Sequence, residues 1–215
     1  MQTSLSFVHR FEPAARPGAP TLLMLHGTGG NEDDLIPLGR MVAPGAALLS
    51  PRGKVLEHGM PRFFRRLAEG VFDEEDVRRR AIELADFVEQ ARSRHGLSAP
   101  LAVGYSNGAN IAAAMLFLGP DILAGAVLLR AMVPLAAKPV ANLAGKPVLM
   151  LSGAMDPIAV PANAGRLASE LEAAGATLLH RVLPVGHELS QEDVNTARRW
   201  LASLEETDAS TLSHA

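Results

Sequence analysis

Cysteine is absent from the 215 residues of this chain. This absence excludes a thiol nucleophile, a zinc–thiolate site, an iron–sulfur cluster and a disulfide-stabilised fold, and it fits a reducing compartment. The first thirteen residues include His9, Arg10 and Glu12 and contain no apolar core of the kind found in secretory signals. We therefore expect a cytoplasmic protein.

Aromatic residues and excess charge are also scarce. Aromatic residues make up 4% of the chain, with one Trp and one Tyr, and 20 Lys and Arg face 23 Asp and Glu. Without a basic patch or interleaved aromatics, nucleic acid is not an expected partner. The longest apolar stretch, residues 111–129, is interrupted by Gly119-Pro120-Asp121, which stops a helix, so we expect no insertion into a membrane. The sequence leaves open whether the chain forms a homodimer.

Short apolar runs alternate with longer segments of helical spacing along most of the chain. This alternation predicts an α/β fold, a doubly wound and mostly parallel sheet flanked by helices, in one domain over residues 1–204 with a flexible tail at 205–215. A segment from Ser4 to Glu12 is expected to add an antiparallel edge strand. The predicted strands are Thr21–Leu25, Ala46–Leu49, Leu101–Val103, Ala126–Leu129, Val148–Leu151 and Thr177–Val182, and the predicted helices are Asn31–Val42, Asp73–Arg94, Ser106–Leu118, Pro161–Ala174 and Gln191–Leu204.

The sequence Gly-Tyr-Ser-Asn-Gly at 104–108 follows a predicted strand and opens a predicted helix. This is the nucleophile-elbow pattern in its strand–turn–helix context, with Ser106 as the candidate nucleophile. A serine hydroxyl needs a base to take its proton and an acid to orient that base. Asp156 and His187 follow later strands and complete the order Ser, Asp, His that this pattern requires.

A glycine-rich loop, His-Gly-Thr-Gly-Gly at 26–30, follows the first apolar strand. It is well placed to supply one backbone N–H of an oxyanion hole, and the residue after the nucleophile supplies the other. We assign the N–H groups of Thr28 and Asn107 to this role. His26 is interpreted as structural rather than catalytic, because the loop is needed for its backbone donors.

Two cofactor interpretations fail on spacing. Glu32 stands where a dinucleotide fingerprint needs its third glycine, and Gln191 stands where a zinc helix motif beginning at His187 needs its second histidine. The sequence therefore predicts neither a cofactor nor a metal.

These residues resemble the phospholipase/carboxylesterase family of α/β-hydrolases, which also contains acyl-protein thioesterases. The resemblance spans most of the chain; it includes residues 25–30, Asp34-Leu35, the 104–108 motif, Gly153–Pro157 and Gly186-His187. Residues 51–53 and 59–66 with Phe72-Asp73 are most similar to a bacterial branch of small carboxylesterases and hydroquinone-specific hydrolases. Asn107 departs from the Gln that the eukaryotic-type thioesterases carry after the nucleophile.

The resemblance and the motif together predict a serine carboxylesterase that acts on small esters through an acyl-enzyme. A thioesterase or lactonase with the same triad is one alternative, and a non-catalytic ligand-binding protein on the same fold is another.

The pocket is expected to be shallow, since residues 130–146 are too few for a large helical cap domain. The irregular segment from Pro51 to Phe72 is expected to fold over Ser106. The predicted apolar wall consists of Phe63, Phe64, Met132 and Val133. We interpret Arg62, Arg65 and Arg66 as partners of the acidic residues 73–76, with binding of a substrate carboxylate as the alternative.

Overall fold

A computed structural model of the chain describes residues 5–136 and 141–212, without side chains for 207–212. It contains eleven strands: β1 His9–Glu12, β2 Thr21–Leu25, β3 Ala47–Pro51, β4 Val55–Glu57, β5 Met60–Arg62, β6 Arg66–Ala68, β7 Val71–Phe72, β8 Leu101–Tyr105, β9 Gly125–Leu129, β10 Pro147–Gly153 and β11 Thr177–Leu183. Its five helices are α1 Ile36–Val42, α2 Glu74–His95, α3 Asn107–Leu118, α4 Pro161–Ala173 and α5 Gln191–Leu212.

Seven strands form one sheet in the order β1-β3-β2-β8-β9-β10-β11. β1 pairs antiparallel with β3 at one edge, and the other six strands run parallel. Core residues of α2, α3 and α4 pack on one face of the sheet, and those of α1 and α5 pack on the other. The doubly wound α/β fold is confirmed, and its parallel strands bring their carboxyl ends to a common edge.

The predicted elements differ from the observed ones mainly at their ends. The helix expected from Asn31 begins at Ile36, because residues 32–35 form turns and Pro37 occupies the first helical turn. α5 runs to Leu212, eight residues beyond its predicted end at Leu204, so most of the expected tail is helical. Residues 213–215 of that tail, and Ser4 of the expected edge strand, lie outside the described residues.

The segment from Pro51 to Phe72 was expected to be irregular, but the structure shows regular elements there. It contains two short antiparallel hairpins, β4 with β5 and β6 with β7. No helix or strand is described between β9 and β10, which agrees with the absence of a large cap; residues 137–140 are outside the description. Within the described part of the chain, no helix is long and apolar enough to cross a membrane.

Candidate active site

Ser106 lies at the turn between β8 and α3, in the middle of the common sheet edge. Its backbone has φ 51° and ψ −113°, a left-handed conformation that is strained for a residue with a side chain. Its N–H donates to the carbonyl of Leu129 on the neighbouring strand at 2.8 Å. The strain and the anchor agree with the nucleophile elbow expected from the sequence.

The two glycines of the elbow are required by close backbone contacts. A Cβ on Gly108 would lie 1.9 Å from the carbonyl oxygen of Leu25, and a Cβ on Gly104 would lie 2.5 Å from the carbonyl oxygen of Gly108. Neither contact is with a flexible side chain, so the backbone itself would have to move. The Gly-x-Ser-x-Gly pattern therefore has a steric cause in this fold.

His187 lies between Ser106 and Asp156. Its Nε2 is 3.0 Å from Ser106 Oγ, and its Nδ1 is 2.8 Å from Asp156 Oδ2. The side chain of Asp156 is fully buried, and its Oδ1 accepts from the N–H groups of Ile158 and Ala159 at 2.8 and 2.9 Å. With one carboxylate oxygen bonded to the loop backbone, the other is directed at His187. The structure thus brings together the three residues selected from the sequence.

The loop that carries His187 is held by Arg130, a residue that the sequence did not single out. Arg130 is buried, and its guanidinium donates to the carbonyls of Gly186 at 3.0 Å and Glu188 at 2.9 Å, one on each side of His187. It also forms a two-bond ion pair with buried Asp193 at 2.7 and 2.8 Å. The Tyr105 hydroxyl donates to the carbonyl of His187 itself at 3.2 Å.

The loop after β2 and the start of α3 place the backbones of Thr28 and Asn107 at the cavity beside Ser106. Within the described residues, the N–H groups of Thr28 and Asn107 donate to no protein acceptor, whereas Gly29 N–H donates to Pro61 O at 2.9 Å. Both Thr28 and Asn107 line the same cavity as Ser106. Asn107 is the first residue of α3, where the N–H has no acceptor within the helix.

His26 holds the glycine-rich loop from inside the protein, which supports its structural interpretation. Its Nδ1 lies 2.6 Å from Gly27 O, and its Nε2 lies 2.9 Å from the N–H of Gly53. A proton on Nδ1 and a lone pair on Nε2 satisfy both contacts, so the ring is held neutral. Burial lowers the pKa of His26 below its ordinary 6.5.

A cavity of about 330 Å³ opens beside Ser106 and His187. Its wall is more polar than expected, with lining residues Thr28, Arg62, Arg66, Glu69, Gly70, Phe72, Tyr105, Asn107, Asn110, Met132 and Ile158. Of the four predicted wall residues, only Met132 lines it.

The assignments of Phe63, Phe64 and Val133 to the wall are therefore wrong. Phe63 packs on the His26 ring, with ring centres 4.7 Å apart, and Phe64 is fully buried against Phe72. Val133 is in the core, and its N–H donates to Asn163 Oδ1 at 2.8 Å. Phe72 is the aromatic residue of this segment that reaches the cavity.

Arg62 was also placed wrongly when it was interpreted as a solvated partner of residues 73–76. It is 3% exposed, and its Nη1 donates to Thr28 Oγ1 at 2.6 Å. Arg66 pairs with Glu57 at 2.8 Å rather than with the acidic cluster. The expectation holds for Arg65, which pairs with Asp73 at 2.5 Å.

Within the described residues, no cluster of three or more His, Asp or Glu side chains could hold a metal ion.

Several known proteins are similar to this chain over most of its length. MhqD of Bacillus subtilis (strain 168), which is named as a hydrolase, is 48% identical over 181 residues, covering 83% of this chain and 90% of that protein. The carboxylesterase structure from Bacillus cereus has 46% identity and a TM-score of 0.91, covering 94% of this chain and 96% of that one. The carboxylesterase structure from Mesorhizobium loti has 35% identity and a TM-score of 0.88, covering 93% and 96%. No protein-family model matches the chain.

The sheet order, the strained serine turn and these structural neighbours define an α/β-hydrolase. The identities and coverage show that the chain belongs to the phospholipase/carboxylesterase family, and it is a carboxylesterase-type hydrolase.

Proposed function

We propose that this protein hydrolyses small carboxylic esters through an acyl-enzyme formed on Ser106. Ser106 Oγ attacks the ester carbonyl carbon while His187 Nε2 takes the hydroxyl proton. The tetrahedral intermediate then collapses, and the departing alcohol takes that proton from His187. A water molecule, deprotonated by His187, attacks the acyl-enzyme, and the carboxylic acid leaves as Ser106 regains its proton.

The observation that carries the proposal is the unbroken series of contacts from Asp156 Oδ2 to His187 Nδ1 and from His187 Nε2 to Ser106 Oγ. A buried carboxylate on Nδ1 fixes the tautomer in which Nε2 is free to accept a proton. It also stabilises the imidazolium that forms during each step. The N–H groups of Thr28 and Asn107 are the proposed donors to the oxyanion, whose charge develops only in the transition state.

The test combines labelling with substitution. A fluorophosphonate probe should label the protein at Ser106, and Ser106→Ala should abolish labelling. Ser106→Ala and His187→Ala should each lower kcat for p-nitrophenyl acetate by roughly 10⁴- to 10⁶-fold, and the double variant should be little worse, because the residues act as one unit. Dialysis against EDTA should leave activity unchanged.

The chain offers a matched control in a second Ser–His contact. Ser152 Oγ is 3.0 Å from His180 Nε2, but this pair lies within β10 and β11 and does not line the cavity. Ser152→Ala should keep full labelling and most of the esterase activity. If Ser106→Ala retains a tenth of wild-type activity, the proposed mechanism is wrong.

The cavity also bears on substrate size. Each additional CH₂ adds about 0.8 kcal/mol of binding only while protein surface covers it. We expect acetate to hexanoate esters to be cleaved far better than palmitate. Rates that rise up to sixteen carbons would contradict a small-ester enzyme, and a panel that includes thioesters and lactones tests the remaining alternatives.

A further inference from the structure

The cavity beside Ser106 carries positive charge on one wall, where an apolar wall was expected. We propose that it binds a carboxylate group of the substrate through Arg62 and Arg66, so that the preferred substrates are small esters bearing a second, ionised carboxyl group. This inference rests on the proposed function and names the substrate class for it.

The guanidinium of Arg62 is fixed by two hydrogen bonds and has one further donor, Nη2, available on the cavity side. Its Nη1 donates to Thr28 Oγ1 at 2.6 Å and its Nε donates to Phe64 O at 3.2 Å. In the described residues its Nη2 has no protein partner, and it is not among the polar atoms sealed from solvent. A planar guanidinium fixed at two positions loses little further freedom when the third donor binds a carboxylate.

Arg62 and Arg66 have one carboxylate at close range and a second one that is mostly exposed to water. Glu57 lies between the two arginines, 3.1 Å from Arg62 Nε and 2.8 Å from Arg66 Nε. Glu69 is 3.7 Å from Arg66 Nη1, but its side chain is 63% exposed, so water screens it strongly. Because the charge of Glu69 is screened by water, a substrate carboxylate in the cavity would be the second closely held anion beside the two arginines.

The electrostatics of Arg62 point the same way. Burial is the largest cause of the lowered pKa of Arg62, and the positive charge of Arg66 adds to it. An arginine nevertheless stays protonated in a protein, so its buried charge favours an anion beside it.

Asn110 adds a neutral donor on the cavity wall. Its Oδ1 accepts from the N–H of Met132 at 2.8 Å, which assigns the orientation of the amide. Among the described groups, Nδ2 has no partner and is not sealed from the cavity that Asn110 lines. The cavity therefore presents donors from three side chains, a set suited to an oxygen-rich ligand.

The decisive experiment compares isosteric esters that differ only in charge. The first pair is monomethyl succinate and methyl succinamate, with the test group on the acyl side. The second is acetoxyacetate and acetoxyacetamide, with the group on the alcohol side. Of these two pairs, at least one should show a kcat/KM about tenfold or more higher for the carboxylate, the gain expected from a charge-assisted hydrogen bond. The pair that shows it identifies the side of the ester that faces Arg62.

Substitutions then assign the preference to the arginines. Arg62→Gln and Arg66→Gln should each bring the carboxylate-to-amide ratio of that pair toward one. Arg65→Gln is the matched control, because Arg65 is exposed, pairs with Asp73 and does not line the cavity. It should leave the ratio unchanged. If Arg62→Gln does not fold, the ratio in Arg66→Gln decides.

Two outcomes separate this inference from the proposed function. A wild-type ratio of one or less in both pairs, with Ser106 still labelled by the fluorophosphonate, overturns the carboxylate site and leaves the esterase mechanism intact. If no ester is cleaved and Ser106 is not labelled, the proposed function fails. Succinate should then still raise the Tm of the wild type but not of Arg66→Gln, and a shift equal in both would overturn the site.

Discussion

Replacing Arg130 with Met is expected to lower the free energy of unfolding and to remove most of the hydrogen bonds that hold the His187 loop in place. The substitution leaves the carboxylate of Asp193 buried without its ion-pair partner. It also removes the donors that reach the carbonyls of Leu151, Gly186 and Glu188. Breaking a buried ion pair from one side costs about 3–5 kcal/mol in the free energy of unfolding. For a chain of this size, that corresponds to a fall in Tm of roughly 6–20 °C.

The pH dependence of this loss distinguishes a charge effect from a packing effect. Burial alone would raise the pKa of Asp193, but hydrogen bonds from Arg130 and Ser190 outweigh it and lower the pKa below the ordinary 3.8. In the wild type, the ionised carboxylate therefore adds stability above about pH 4, and this stability is lost as the pH falls through the lowered pKa. Without Arg130, burial raises the pKa of Asp193, and stability is lost as the pH increases.

Urea unfolding at pH 7 and pH 4 measures both effects. The difference between wild type and Arg130→Met should be greatest at pH 7 and smaller at pH 4. Arg199→Met is the matched control, because Arg199 forms an exposed ion pair with Glu192 on the same helix that holds Asp193. It should change the free energy of unfolding by less than about 0.5 kcal/mol. A loss below about 1 kcal/mol for Arg130→Met, or one that does not depend on pH, would refute the reasoning.

Three other expected outcomes test the local structure. Gly108→Ala should prevent folding or abolish activity, because the new Cβ would overlap the carbonyl of Leu25. Gly165→Ala is the control, because a Cβ there would lie in open space on α4 and should raise stability by up to about 1 kcal/mol. Equal effects of the two substitutions in a thermal melt would contradict this. Phe64→Ala should lower the free energy of unfolding by about 3–5 kcal/mol, because the side chain is fully buried; a change in acyl-chain preference without a loss of stability would mean that Phe64 lines the pocket after all. Burial lowers the pKa of His26, so the unfolded wild type takes up a proton before the folded form does, and the wild type loses stability as the pH falls below about 6.5. His26→Gln should make this loss smaller, and an unchanged dependence of stability on pH would show that His26 is not the group responsible.

The sequence predicted that Ser106, Asp156 and His187 lie together, because each of them follows an apolar run that becomes a strand. β8, β10 and β11 are parallel, so their carboxyl ends meet at one edge and bring Ser106, Asp156 and His187 together. α2 was also predicted closely, since Asp73 caps its start and Gly96 adopts φ 64° at its end. Local signals of this kind determine where elements begin, end and meet.

The residues missed by the sequence analysis depend on contacts between distant parts of the chain. Arg130 follows β9 with no motif around it, and its partner Asp193 is 63 residues away. The wall residues failed for a related reason. The hairpin containing β5 turns Arg62 inward, and Phe63 and Phe64 then enter the core. A one-residue difference in register reverses which side chains face a cavity, and the sequence gives no register for so short a hairpin.

Buried polar side chains accept hydrogen bonds from the backbone N–H groups of the loops around Ser106. The segments at the common edge have few backbone partners of their own, so their N–H groups need acceptors from elsewhere. Asn107 Oδ1 accepts from Phe63 N–H at 2.7 Å, as Asn110 does from Met132, while His26 accepts from Gly53. Asn107 and Asn110 are the polar side chains of a helix that is buried at every position from 107 to 117. A polar residue at a position where the helix packing demands an apolar one has to find a partner inside the protein. Two asparagines in an otherwise apolar, alanine-rich helix therefore indicate that backbone from other segments packs against the start of this helix. In the structure these segments are the ones that contain Phe63 and Met132.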